Sequence, residues 1–110
     1  MSFRVETISV FDKQAKRLAK KYASFKHDLI VLIQSLSLAP DQGAALGNGF
    51  YKIRIAVTSK GKGKSGGARI ITFVKVQKET VFLLSVYDKS EQENISEKEL
   101  NTLFRKIPSE

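Results

Sequence analysis

The sequence predicts an α+β domain in which a mostly antiparallel four-stranded sheet packs on a helical hairpin, in the order β-α-α-β-β-β-α. Three observations carry that prediction. Apolar residues recur at helical spacing between Phe11 and Leu36, alternate with polar ones from Phe50 to Val57, and fill two later runs joined by a short turn. A chain of 110 residues with 42% apolar side chains has material for one core, so residues 1–110 are expected to form a single domain with its helices on one sheet face.

The elements follow in order. Phe3 to Ile8 alternates as a first strand, with Phe3 and Val5 sharing a face. Ser9 and Asp12 are spaced as a helix-capping pair, after which Phe11, Ala15, Leu18, Ala19 and Tyr22 make a helical stripe with lysines opposite. Ser24 stands where it can cap a second helix carrying Leu29, Ile30, Leu32, Ile33 and Leu36, which must end before Pro40. The segment Asp41 to Gly49, rich in Gly, Ala and Asn, is expected to be a loop. In Phe50 to Val57, Tyr51, Ile53, Ile55 and Val57 face one way and Lys52, Arg54 and Ala56 the other, which gives a dry face and a basic one. Ala68 to Val76 and Thr80 to Tyr87 flank a tight Gln77-Lys78 turn and are apolar on both faces, as central strands are. Ser96 and Glu99 form a capping box, with Ile95 and Leu100 as its hydrophobic staple. A short last helix then uses Leu100, Leu103, Phe104 and Ile107 and ends at Pro108.

Composition removes whole classes of chemistry. With no cysteine there is no disulfide, thiol nucleophile or thiolate-held metal, and with one histidine, His27, no imidazole pair. His27 is expected to be structural, and no carboxylate pair stands out for metal binding or hydrolysis, so neither metal nor cofactor is expected. No stretch approaches the roughly 18 apolar residues of a membrane span and the N-terminus lacks a signal-peptide pattern, so no membrane partner is expected and the cytoplasm is the default. The net charge of +8 resides in one window: from Gln42 to Lys78 there is no acid, while Lys52, Arg54, Lys60, Lys62, Lys64, Arg69, Lys75 and Lys78 are basic. Outside it, basic and acidic residues balance. A polyanion is the natural partner of such a patch.

Two motifs inside the window invite nucleotide-binding names and support neither. Gly61-Lys62-Gly63-Lys64-Ser65-Gly66 matches G-x-G-x-x-G but leads into a strand, and Thr58 stands where a P-loop built on Gly63-Lys64-Ser65 needs its first glycine. What remains is a flexible loop whose backbone can approach phosphate oxygens, with Lys60, Lys62 and Lys64 as RNA-binding cations. Lys52 and Arg54 share a strand face with Arg69 in reach; crowded cations lower a lysine's pKa toward proton transfer, and arginine binds phosphate bidentately. Tyr87 and Lys89, at the end of the last strand, can stack a base or hold a phosphate, and Tyr87 can equally cap the core. The phenylalanines mostly fit the core.

Phe50-Tyr51-Lys52-Ile53-Arg54, the run Gly61 to Ile71, and Leu83-Leu84-Ser85-Val86-Tyr87-Asp88-Lys89-Ser90-Glu91 follow a helical hairpin in this order. In this the chain resembles the RelE/ParE superfamily of bacterial type II toxins, and within it the HigB-type branch. The resemblance implies a small α+β ribonuclease that cuts messenger RNA on the ribosome and is silenced by an antitoxin encoded beside it. Lys52, Arg54 and Arg69 fall at the family's basic positions, Lys89 stands where the prototype has a catalytic arginine, and Ile95 lies near the place of a prototype tyrosine. The base is then a lysine or Tyr87. Two other readings stay open: a ParE-like gyrase inhibitor without nuclease activity, and a plain basic RNA-binding module.

Overall fold

A computed structural model describes residues 2–108. The chain runs β1 (Arg4–Thr7), α1 (Ser9–Lys21), α2 (Phe25–Leu38), β2 (Ala44–Gly47), β3 (Phe50–Ile55), β4 (Ala68–Lys75), β5 (Thr80–Asp88) and α3 (Glu97–Phe104). Short 3-10 turns occupy residues 58–60, 64–66 and 76–78. The strands form one sheet in the order β1-β5-β4-β3-β2, in which β1 runs parallel to β5 and the other pairs are antiparallel.

The sheet has five strands rather than the four expected, because the Asp41–Gly49 segment is not all loop. Its residues 44–47 pair with β3, and all four are exposed, so no buried alternation marks them. The β3 edge recruits them through backbone hydrogen bonds, which form largely regardless of the side chain. Gly43, at φ +95°, lets the chain pass so close to β3 that a Cβ there would collide with the Lys52 carbonyl oxygen.

The helices do not share one face. Phe11, Leu18, Phe25, Leu32 and Leu36 of α1 and α2 are buried, and Ile53 of β3 lies beside Leu32. The opposite face carries Phe50, Lys52 and Arg54 with their cross-strand partners Phe73, Ile71 and Arg69. There α3 packs, its Phe104 ring 5.8 Å from Phe50 and 5.2 Å from Phe73. One end of the basic face is therefore roofed and the other left open. Both central strands match expectation: every residue of β5 and the first five of β4 are buried.

Caps agree in part. Ser96 and Glu99 form the expected box at α3, although regular helix ends at Phe104, before Ile107 and Pro108. At α1 the N-cap is buried Ile8, not Ser9, and no side chain caps it; burial of Ile8 fixes the helix start instead. Ser24 occupies the α2 N-cap, but its hydroxyl donates to Asp28 and accepts from the Ser59 amide.

Candidate functional site

Arg54 and Arg69 are direct cross-strand partners, two positions along from Lys52 and Ile71. Lys52 and Arg54 line an open cleft of about 550 Å³ with Gln42, Gly43, Ala44 and Lys64. No acid lines this cleft. Lys64 comes from the 58–67 loop, seated at the sheet end by Gly67, where a Cβ would collide with the Ile55 carbonyl oxygen. The amide of Lys89 donates to the Gly67 carbonyl at 3.0 Å, fastening the loop to the end of β5.

Arg69 is only 4% exposed. Its Nη1 donates to the carbonyl oxygens of Lys64 (2.9 Å) and Ala68 (3.2 Å), and its Nη2 to that of Ser65 (3.3 Å). The guanidinium thus braces the loop from beneath. Burial lowers its pKa, and the charge of Arg54 lowers it further.

Tyr87 is Arg69's partner on β5 and is equally buried; its hydroxyl has no hydrogen-bond partner among the described residues. Burial raises its pKa, which the nearby Arg69 charge only partly opposes. Lys89 lies just beyond β5, half-buried, with its ammonium 3.6 Å from Glu93. Lys62 sits on the exposed loop outside the cleft lining. Lys60 turns away from all of these: its side chain is 7% exposed and donates to Asp88 at 2.8 Å.

That ion pair belongs to a cluster that sequence reasoning did not anticipate. The buried Asp88 carboxylate accepts hydrogen bonds from Lys60, the Tyr22 hydroxyl, and the amide and hydroxyl of Ser90, with Lys21 at 3.6 Å. Burial alone would raise this carboxyl; the donors outweigh it and hold its pKa far below the ordinary range. Asp28 of α2 does similar work at the start of the loop, accepting from the Thr58 amide and hydroxyl and from Ser24. The available signal was a lone acid closing β5, a nine-residue strand that is otherwise mostly apolar.

Residues 8–110 match the family described as the RelE toxin of the RelE/RelB toxin-antitoxin system. The chain belongs to the RelE toxin family. Solved structures agree on the fold. A free-state double arginine-to-alanine mutant of the E. coli toxin RelE matches with a TM-score of 0.65 at 16% identity, covering 98% of this chain and 100% of that one. The isolated E. coli RelE toxin matches with a TM-score of 0.52 at 19% identity, covering 94% and 97%. A metal-bound toxin from Helicobacter pylori also gives 0.52, at 21% identity and 81% and 97% coverage. In this RelE-family chain, no cluster of three or more His, Asp or Glu is placed to hold a metal among the described residues. No described helix is long and apolar enough to cross a membrane.

Proposed function

We propose that this protein is the toxin of a type II toxin–antitoxin pair of the HigB-type branch, acting in the cytoplasm as a metal-independent, ribosome-dependent messenger RNA endonuclease that arrests translation. The observation that carries the reading is the acid-free cleft in which Lys52, Arg54 and Lys64 converge. Three cations in a cleft lined by no acid suit the two negative charges of a phosphorane. In the reaction the ribose 2′-oxygen attacks the adjacent phosphorus, the 2′-O–P bond forms and the P–O5′ bond breaks, leaving a 2′,3′-cyclic phosphate and a 5′-hydroxyl. A base takes the 2′-proton and an acid protonates the leaving 5′-oxygen.

Arg54, exposed in the cleft, binds the non-bridging oxygens. Arg69 acts through the loop, holding the Lys64 carbonyl so that the Lys64 side chain meets the same phosphate. Tyr87, its pKa raised by burial, keeps its proton at neutral pH, and its buried hydroxyl lies beneath the sheet surface and outside the lining of the cleft. Lys52 and Lys89 are left as the candidates for proton transfer with the reacting oxygens. The ribosome supplies what so open a cleft lacks, a messenger held in line for attack. The cognate antitoxin silences the protein by covering the face between Lys52 and Lys89 with acidic groups or by displacing α3.

Mapping transcript ends after brief induction tests this reading. New ends inside translated frames are expected with wild type, and Arg54→Ala, a change at an exposed side chain, should lower cleavage by about 10²- to 10³-fold while leaving the fold intact. Intact messenger RNA accompanied by DNA damage would overturn the nuclease in favour of gyrase inhibition.

A further inference from the structure

Lys52 borders a second cleft. About 340 Å³ in volume, it opens between the β2–β3 hairpin and α3, with Leu46, Phe50, Ile95 and Leu100 as its apolar walls. Its polar rim differs from that of the cationic cleft. It holds the amides of Asn48, Asn94 and Asn101 and the carboxylate of Glu97. The Lys52 ammonium donates to the Asn94 side-chain oxygen at 3.3 Å. Among the described residues the Asn48, Asn101 and Glu97 side chains make no hydrogen bond or ion pair, so all three can meet a ligand.

A phosphate would be repelled from this second cleft by Glu97, whereas the first, lacking any acid, attracts one. Apolar walls with amide and carboxylate groups at the edge match the opposite part of a nucleotide, a flat base whose edge carries donors and acceptors. A volume near the lower end of small-ligand sites, roughly 300–1,000 Å³, admits one base. We infer that the α3-side cleft is a base-binding subsite, and that it prefers a nucleobase bearing an exocyclic amine. Glu97 accepts from that amine, and an asparagine amide spans a neighbouring donor and acceptor. Uracil, with no exocyclic amine, offers Glu97 only carbonyl oxygens at that position. Lys52, shared by both clefts, then sits between the phosphate and the base it serves.

The inference rests on the proposed RNA cleavage for its biological setting, and its test separates the two. Fluorescence anisotropy at low salt is measured for short labelled oligonucleotides, each carrying a 2′-deoxy residue at the scissile position and differing in one base. Adenine, cytosine or guanine at the responsive position should bind at least about fivefold tighter than uracil. Glu97→Gln should erase that ratio, because an amide can also donate to a uracil carbonyl, and Asn101→Ala should reduce it; a loss of stability would weaken all bases alike. Shifts in the Asn48 and Asn101 side-chain amide NMR signals on oligonucleotide addition should locate the base. Equal affinity for all four bases, unchanged in both variants, or amide signals that move only with a protein partner, would overturn the subsite even if RNA is cut. Base-dependent binding by a protein that cuts no message would leave the subsite standing and overturn the nuclease.

Discussion

The two groups of cations contributed by the 58–67 loop region do opposite work, although they come from one acid-free stretch of sequence. Lys60 points to the hairpin side, where buried Asp88 neutralises it and Tyr22 completes the contact. Lys64 lines the open cleft with Lys52 and Arg54, and no acid belongs to that lining. Compensated charge locks the loop; uncompensated charge is left for a polyanion. Net charge along a sequence window cannot distinguish the two, since the acid that claims Lys60 lies 28 residues away.

Removing the buried half of this contrast should have the largest effect. Asp88→Asn leaves the Lys60 ammonium buried without its counter-charge and should cost about 3–5 kcal/mol of folding stability, measured by denaturant unfolding. The pH dependence has a definite sign. The folded-state carboxyl titrates well below the unfolded value of about 3.9, so its contribution is fully present above roughly pH 4 and fades as pH falls toward the folded pKa. The gap between wild type and variant should therefore narrow in acid. Equal stability at neutral pH would remove Asp88 from its role as the lock.

Arg69 sits between the two groups, and its substitution sharpens the division. Lysine keeps the charge but cannot hold the Lys64 and Ser65 carbonyls with a planar fork. Arg69→Lys should cost about 1–3 kcal/mol, speed amide exchange across residues 61–67, and slow cleavage in step with that loosening. If exchange is unchanged while cleavage disappears, the guanidinium touches RNA itself and does not work through the loop.

How far the sequence carried follows from what each element depends on. The α1–α2 hairpin, β3, β4, β5 and the α3 capping box were legible because their own side chains decide them, through apolar period and local caps. The β2 strand was not, since it is held by the backbone of β3 and none of its four residues is buried. Nor was the face chosen by α3, settled by a Phe50–Phe73–Phe104 cluster whose members come from three separate elements. At the site, the Lys52–Arg54 pairing on one face followed from strand alternation and Arg69 was expected within reach, but its register opposite Arg54 is set across a twelve-residue connection and was not legible. The burial of Arg69 and the capture of Lys60 depend on where a glycine-rich loop folds back, which no local pattern encodes.

The smallest effect separates the two sides of the loop most cleanly. Lys62 is exposed, two residues from Lys60, and belongs to no ion pair among the described residues. If the loop lysines on the solvent side serve only a polyanion, Lys62→Ala should leave folding stability within about 0.5 kcal/mol of wild type. Its trace should appear in RNA binding, as a decrease of about 0.7 in the slope of log affinity against log salt, with no change in base preference. Lys60→Ala should do the reverse, losing stability because the buried Asp88 carboxylate loses its nearest cation, and keeping the salt slope. Were Lys60→Ala to flatten the slope instead, the Asp88 pair would have to open when RNA binds, and the locked and free cations would be one population in exchange.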